Sequence, residues 1–266
     1  MEPRGYLIPA QGEQYHQCAR ALAKSIKYFM PNALVAVVGD CKDPIFDYEI
    51  EFNDPQPGMR NDWQIYRLTP FHETIRLEAD MILNGSIEHW WTAFEKRDVV
   101  IAQGTRDFYG RQTSERAYRK HLDVNYLPDV YNAITYWRQS KLALSFSRQV
   151  KMLFDRWKDV TSVLKNWDQT EPDTDTVYSI AISILGQEKF SIPNSLQFAH
   201  MKSKINYTNS QDWTKELVWE LNEQGLRINT IQQTIPTHYY VKTFADTLEK
   251  HYDKLLASRK TTQKVT

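Results

Sequence analysis

The sequence predicts an α/β fold in which helices flank a mostly parallel sheet, followed by a helical extension at the C-terminus. A strand, a helix and a second strand fit within the first 40 residues, which is the β-α-β unit of a parallel sheet. Further apolar runs then alternate with amphipathic segments along the chain. The composition is 41% hydrophobic and 13% aromatic, which is enough for a large core and excludes a disordered chain.

The first unit is the clearest of these elements. Residues 5–10 (GYLIPA) are apolar and are followed by turn residues, so they predict a buried strand. Residues 14–29 repeat apolar positions at helical spacing, and Pro31 ends that pattern. Residues 33–40 (ALVAVVGD) predict the second buried strand. Ligands are expected at the carboxyl ends of such parallel strands.

The remaining chain continues this alternation. We expect helices at 61–71, 86–96, 142–157, 174–185 and 243–260, and strands at 74–83, 98–104 and 131–137. Ser86 is the expected N-cap of its helix. Because we find no internal repeat and no Gly/Ser linker, we predict one domain at 1–242, followed by a basic helix and tail at 243–266.

Charge and cysteine content narrow the class of protein. Basic and acidic residues number 33 each, which excludes a uniformly basic nucleic-acid surface but leaves local patches open. Cys18 and Cys41 belong to no CxxC motif, so we expect a reducing compartment without disulfides. Without an apolar leader or an apolar run of about 18 residues, we expect a soluble cytoplasmic protein. The oligomeric state is left open.

An acid pair stands out in residues 77–83 (LEADMIL). Glu78 and Asp80 lie two positions apart, so on a strand they share one face. Two carboxylates on a buried face repel each other and are costly to desolvate. A divalent cation removes both problems, and Mg²⁺ or Mn²⁺ bridges readily to phosphate. The pattern therefore indicates a metal-diphosphate site, while a strand end with both acids in water or paired with arginine stays open.

Residues 67–91 (RLTPFHETIRLEADMILNGSIEHWW) resemble the segment with the DxD motif in nucleotide-sugar-dependent glycosyltransferases of the GT-A fold. The similarity is greatest to glycosyltransferase family 8, the glycogenin and galactosyltransferase-like group. Two positions depart from that pattern: Glu78 replaces the first aspartate, and Glu73 stands where the family has a lysine.

The resemblance implies a metal site and a donor site. Asp80 matches the essential metal ligand, Glu78 the other acid, and His238, in residues 236–242 (PTHYYVK), the histidine that completes the site. The ion would be Mn²⁺ or Mg²⁺, and the donor a UDP-sugar. The implied donor contacts are Pro9, Ala10, Tyr15 (stacking on the base), Asp40, Arg67, Glu78 and Lys242 (on the diphosphate).

Two further segments supply the implied catalytic residues. Residues 131–137 (YNAITYW) resemble the family's Asn-Ser-Gly segment, with Asn132 as the match and Ala133 and Ile134 departing from it. Residues 171–181 (EPDTDTVYSIA) resemble the Asp-Gln segment, which places Asp175 near the anomeric carbon and Thr176 in the position of glutamine. Members of this group retain anomeric configuration. An aspartate at a helix start also caps the helix and interacts with its dipole, and both roles stay open.

The acceptor is indicated only by composition. The stretch 105–123 and the tail contain basic and aromatic residues suited to a phosphate backbone and to stacking: Arg106, Phe108, Tyr109, Arg111, Arg116, Tyr118, Arg119, Lys120, His121, Lys250, Lys254, Arg259, Lys260 and Lys264. The chain resembles small bacteriophage glycosyltransferases, some of which modify hydroxymethylated bases in DNA, so DNA in the host cytoplasm is one expected acceptor.

Other hypotheses remain beside this one. A glycan, lipopolysaccharide or protein acceptor is equally compatible with the donor site. A GT-A-like module that binds without catalysis is favoured by the two departures at Glu73 and Glu78. A nucleotidyltransferase would also hold Mg²⁺ with carboxylates, but the early chain has only the isolated Gly5 and Gly12 in place of a glycine-rich phosphate loop.

Overall fold

The computed structural model describes residues 1–56, 58–113, 119–167, 170–192, 196–202 and 212–263, with the backbone alone at residues 119 and 260–263. The strands are β1 (Glu2–Ala10), β2 (Val35–Gly39), β3 (Tyr48–Ile50), β4 (Phe71–Leu77), β5 (Met81–Ile82), β6 (Val99–Gln103), β7 (Thr105–Arg106), β8 (Gln112–Thr113), β9 (Val130–Arg138), β10 (Ala199–His200), β11 (Trp219–Asn222), β12 (Gly225–Ile228), β13 (Ile231–Gln232) and β14 (Thr237–His238). The α-helices are α1 (Glu13–Phe29), α2 (Ile65–Leu68), α3 (His89–Phe94), α4 (Arg119–Val124), α5 (Lys141–Asp155), α6 (Trp157–Val163), α7 (Thr174–Leu185), α8 (Trp213–Glu216) and α9 (Phe244–Gln263).

The main sheet has six strands in the order β3-β2-β1-β4-β9-β6. β1 pairs in parallel with β2 and β4, and β2 pairs in parallel with β3. β9 is antiparallel to both of its neighbours, β4 and β6, so the other five strands point the same way. The predicted mostly parallel sheet is confirmed, and the carboxyl ends of β1, β2, β4 and β6 lie along one edge.

Both faces of this sheet are buried. Along β1, Tyr6 and Ile8 belong to one apolar core and Leu7 to the other, as alternating side chains require. The first core contains the apolar residues of α1 and α9, and the second contains those of α5 and α7. The predicted C-terminal helix is confirmed, and its Tyr252 is fully buried. α9 therefore packs on the same core as α1, while the boundary at residue 242 stays a prediction.

A second sheet connects distant parts of the chain in the order β5-β14-β10-β7-β8. Its antiparallel pairing of β5 with β14 sets His238 opposite Met81. The Asn84 side chain holds this junction, because its amide nitrogen donates to Thr237 Oγ1 (2.9 Å) and its amide oxygen accepts the N–H of Leu226 (2.9 Å). The segment that follows β4 is thus fixed beside residues 237–238.

Several element boundaries differ from the predicted ones. The predicted helix 61–71 is a 3-10 helix at Gly58–Gln64 followed by the short α2, which ends before Pro70 because proline cannot continue a helix. The predicted strand 74–83 divides into β4 and β5, and Glu78 and Asp80 lie between them. Ser86 does not cap a helix, since α3 begins at His89. The helix predicted at 174–185 is found with those bounds.

Within the described ranges, no helix combines the length and the apolar character that crossing a lipid bilayer requires.

A group of ion pairs joins α1 to α9, and we expect it to stabilise the fold in a pH-dependent way. Glu249 Oε1 accepts Arg20 Nε (2.8 Å) and Lys24 Nζ (2.9 Å). Burial acts to raise the pKa of Glu249, but these two cations outweigh it and lower the pKa below the ordinary value. The ionised form therefore stabilises the fold above the unfolded-state pKa of about 4.3, and this contribution is lost as the pH falls through the folded-state pKa.

We expect Glu249→Gln to lower the free energy of unfolding by about 1–2 kcal/mol at about pH 7. The difference from wild type should shrink as the pH is lowered below about 4. Urea unfolding at both pH values measures it, with the exposed Glu223→Gln as the control. A deficit of equal size at both pH values would contradict the ionic origin.

Candidate metal centre at the sheet edge

The candidate centre lies where β4 ends at the carboxyl edge of the main sheet. The N–H of Glu78 donates to the carbonyl of Ala133 on β9 (2.9 Å), which keeps Glu78 at the sheet. The carbonyl of Asp80 accepts the N–H of Tyr239 (3.0 Å), directly after β14. These backbone bonds place His238 against the two acids, although 158 or more positions separate them in sequence.

Three side chains converge at this point. His238 Nε2 lies 2.9 Å from Glu78 Oε2 and 3.2 Å from Asp80 Oδ1. One ligand atom from each of the three side chains lies within 4.8 Å of the other two. Asp80 and His238 are buried, and Glu78 is partly accessible. Lys242 Nζ forms an ion pair with the other Asp80 oxygen.

The charged groups in this cluster shift one another's pKa values. Burial acts to lower the pKa of His238, but the charge of Asp80 and hydrogen bonds with both acids outweigh it and raise the pKa to about 10. Burial acts to raise the pKa of Asp80, but His238 and Lys242 hold it well below its ordinary value. The protein thus has two carboxylates neutralised by one imidazolium and one ammonium.

This arrangement fits a divalent cation. Two carboxylates and an imidazole are ligands that Mn²⁺ accepts, and the carboxylates also suit Mg²⁺. The two positive charges now paired with the acids equal the charge of one such ion. His238 Nδ1 is buried without a hydrogen-bond partner in the described part of the chain, so no neighbour there prevents His238 from presenting Nε2 as a neutral ligand. Glu78, Asp80 and His238 could therefore hold the metal.

The predicted nucleotide residues lie at the ends of β1 and β2. Asp40 accepts the N–H of Gly12 (2.9 Å) and lies 2.7 Å from His16 Nε2. Gly39 is required beside it, because its φ is +139° and an added Cβ would meet the carbonyl oxygen of Ala10 at 2.0 Å. Pro9 and Ala10 pair with β2 at this end. Asp40 therefore stands at the mouth of the β-α-β unit with more than half of its side chain exposed.

Tyr15 links the nucleotide end to the metal centre. The Tyr15 ring centroid lies 5.1 Å from Lys242 Nζ, which pairs in turn with Asp80. Burial acts to lower the pKa of Lys242, but Asp80 outweighs it and raises the pKa, so the ammonium stays charged. The structure thus brings Tyr15, Lys242 and Asp80 together.

The predicted catalytic residues meet each other inside the protein. Asp175 Oδ1 accepts the N–H of Asn132 (2.6 Å), and both residues are buried. The cap of α7 is Asp173, whose side chain accepts the N–H of Thr176. Asp175 lies in the first turn of α7 but is not its N-cap, so its position beside Asn132 is not explained by capping.

Two residues close to the candidate metal centre were not predicted from the sequence. Arg76 lies two positions before Glu78 on β4, and alternation along the strand could have placed it on the same face. His200 stacks on His238 with ring centroids 4.6 Å apart, and no signal in the sequence indicated it. Arg67, in contrast, lies on the exposed side of α2, so the arginine beside Glu78 is Arg76.

Several of the described basic residues suggested for an acceptor contact other residues of the chain. Arg106 donates to the carbonyl of Gly110 (2.6 Å), and Arg111 lies 4.6 Å from the Tyr109 ring centroid. Lys250 pairs with Asp246 (2.6 Å). The residues that fall outside the described ranges are Arg116, Tyr118 and Lys264, together with the side chains of Arg119 and Lys260.

Comparison with known proteins agrees with this geometry at the level of fold. No protein-family model matches the chain, and no curated protein matches it. Galactosyltransferase LgtC, solved with donor and acceptor sugar analogues, matches with a TM-score of 0.55 and 10% identity over 93% of this chain and 95% of LgtC. The chain has a GT-A-like fold.

Two other solved glycosyltransferases are less similar. GlyE of Streptococcus pneumoniae TIGR4 matches with a TM-score of 0.48 and 9% identity over 72% of this chain. This chain spans only 45% of GlyE. Mouse xyloside xylosyltransferase 1 matches with a TM-score of 0.49 and 10% identity over 91% of this chain and 99% of the mouse protein.

The raised pKa of His238 predicts how metal binding depends on pH. At about pH 7 the imidazole is protonated because its pKa is about 10, whereas a ligand must be neutral. Binding of Mn²⁺ should therefore release about one proton, and the affinity should rise up to about tenfold per pH unit between about pH 6 and 8. Calorimetry in buffers of different ionisation enthalpy measures the released proton.

The controls are two histidine variants. His238→Gln should remove the pH dependence, and His72→Gln, an exposed histidine on β4, should preserve it. An affinity for Mn²⁺ that does not change with pH in the wild-type protein would exclude His238 as a ligand.

Proposed function

We propose that this protein is a metal-dependent glycosyltransferase that moves a sugar from a UDP-sugar to an acceptor. The observation that carries the proposal is the convergence of Glu78, Asp80 and His238 at the carboxyl edge of a GT-A-like sheet. Lys242 beside Asp80 and Tyr15 beside Lys242 extend the site toward the ends of β1 and β2, where Pro9, Ala10 and Asp40 would contact the nucleoside.

Different residues of the site would contact different parts of the donor. Glu78, Asp80 and His238 would hold Mn²⁺ or Mg²⁺, which when bound would offset charge on the leaving diphosphate. Lys242 would turn from Asp80 to the diphosphate once a metal neutralises Asp80. Tyr15 would stack on the base. Arg67 as a further donor contact stays a prediction.

The transfer step would involve Asn132 and Asp175. The backbone N–H of Asn132, in β9, donates to the Asp175 carboxylate, and we propose that the anomeric carbon of the donor lies over this pair. The resemblance to family 8 favours retention of configuration. The domain assignment, with catalysis in residues 1–242, belongs to the same proposal.

The acceptor is the least constrained part of the proposal. A hydroxymethylated base in bacteriophage DNA, modified in the host cytoplasm, remains the hypothesis drawn from the basic and aromatic residues. Neither the fold comparisons nor the contacts of the described basic residues support it. A glycan or protein acceptor is the alternative, and an acceptor screen should include all three classes.

A binding module without catalysis is the second candidate function. The observation that favours it is the internal neutralisation of the acid pair by His238 and Lys242. Such a module would bind a nucleotide or nucleic acid and would hydrolyse no sugar nucleotide.

The test is calorimetric titration of UDP and a set of UDP-sugars, with and without Mn²⁺, on wild type and on Asp80→Asn. We expect at least one uridine nucleotide to bind about tenfold or more tightly with Mn²⁺, and slow Mn²⁺-dependent hydrolysis of its sugar in the absence of acceptor. Loss of a ligand or its support typically costs about 10–100-fold, so Asp80→Asn should abolish the metal effect.

Asp155→Asn, an exposed acid at the end of α5, serves as the control and should behave as wild type. If the nucleotide affinity changes neither with Mn²⁺ nor with the Asp80 substitution, and no sugar nucleotide is hydrolysed, the binding module would be favoured. Absence of binding to every uridine nucleotide would overturn the proposed donor.

A further inference from the structure

A buried arginine lies on the strand that leads into the metal centre. Arg76 is two positions before Glu78, and only 5% of its surface is exposed. Burial acts to lower its pKa, but Asp62 and Glu78 outweigh this effect and raise the pKa, so the guanidinium is charged. Buried charges are uncommon in a strand unless they are paired. The partners of Arg76 are therefore informative.

Those partners surround Asn132. The Arg76 guanidinium donates to the carbonyl of Asn132 and to Asp62 Oδ1 (3.3 Å), and it lies 4.0 Å from Glu78 Oε1. The second Asp62 oxygen accepts the Asn132 side-chain amide (3.3 Å) and the Tyr178 hydroxyl. Arg76 thus contacts Glu78 on one side and the Asn132 backbone on the other.

The remaining polar groups of Asn132 are also engaged. Its N–H donates to Asp175 (2.6 Å), and its side-chain oxygen accepts the Thr135 hydroxyl (2.7 Å). Every hydrogen-bonding group of Asn132 therefore has a partner, and two of the four are supplied by Arg76 and Asp62. Arg76 and Asp62 therefore hold the carbonyl and the side chain of Asn132, beside the backbone bond that joins Glu78 to Ala133.

Stability alone does not account for such a pair. Desolvation of two buried charges often outweighs their attraction, and apolar replacements of similar shape are often neutral or stabilising. Arg76 Nε is buried without a hydrogen-bond partner in the described part of the chain, so the pair is not fully satisfied. Its geometry instead matches the polar partners that orient metal ligands in other proteins.

We propose that Arg76 and Asp62 are positioning residues that fix the distance between the metal ligand Glu78 and the Asn132–Asp175 pair. They would thereby set the distance from the metal-held diphosphate to the group beside the anomeric carbon. Neither side chain is placed on the substrate. This inference rests on the proposed function for its catalytic consequence, but its consequence for metal binding is independent of catalysis.

The test replaces the charges without changing the net charge. The variant Asp62→Leu/Arg76→Met/Tyr178→Phe removes one positive and one negative charge and leaves no hydroxyl without its acceptor. Because the Asn132 carbonyl and side-chain amide lose their partners, we expect a lower melting temperature. At a temperature where the variant is folded, we expect an Mn²⁺ affinity about tenfold weaker and UDP-sugar hydrolysis reduced about 100-fold. The control Asp98→Leu/Arg138→Met removes an Arg–Asp pair at the other end of β9 (2.7 Å) and should leave both site readouts unchanged.

Arg76→Lys tests the geometry separately and remains informative if the triple variant fails to fold. It keeps the charge but loses the planar donor fork, so we expect weaker Mn²⁺ binding by a few-fold and hydrolysis reduced about tenfold. Mn²⁺ affinity and hydrolysis within twofold of wild type, in either folded variant, would overturn the positioning role while leaving the proposed function intact.

The wild-type protein separates the two ideas. If it binds Mn²⁺ but hydrolyses no UDP-sugar, the proposed function fails. The positioning role is then tested only by comparing the Mn²⁺ affinity of the variants with that of wild type. If it does not bind Mn²⁺, both are overturned.

Discussion

A buried carboxylate beside a second, partly accessible one requires positive charge nearby, and several elements of this structure supply it. Glu78 and Asp80 follow the end of β4 at the carboxyl edge of the sheet. β14 and the residues after it bring one imidazole and one ammonium to them. The pairing of β5 with β14 and the side chain of Asn84 hold that segment in place. A divalent ion bound by these acids would take over the charge that His238 and Lys242 supply.

The parallel sheet determines why one edge carries the whole candidate site. β1, β2 and β4 end together, so Ala10, Asp40 and Glu78 come from different elements yet face one region. β9 runs in the opposite direction, so its beginning, at Asn132, meets the end of β4. The first turn of α7 adds Asp175 there. In the proposed function, the nucleoside, the diphosphate and the sugar of the donor would lie along the edge in this order.

The protein has two kinds of charged contact, which differ in where they lie and in what they connect. The ion pairs of Glu249 connect helices at the periphery and affect stability. The Arg76–Asp62 pair lies below the candidate site and connects the candidate ligand Glu78 to Asn132. This second pair contacts both the backbone carbonyl and the side-chain amide of Asn132.

Local pattern by itself determined the fold class, the first β-α-β unit, the bounds of α7 and the presence of α9, because apolar periodicity reflects which face of an element is buried. It also indicated the acid pair, although Glu78 and Asp80 lie between β4 and β5 and not within one strand. Only the tertiary structure decided that His238 and Lys242 neutralise this pair, that Asp173 rather than Asp175 caps α7, and that Arg76 rather than Arg67 adjoins Glu78. His238 and Lys242 lie beside the acid pair because β14 pairs with β5. Asp173 caps α7 because the helix begins at Thr174, and Arg76 lies beside Glu78 because both are at the end of β4. Short-range spacing encodes neither the pairing of strands nor the exact residue at which an element begins or ends.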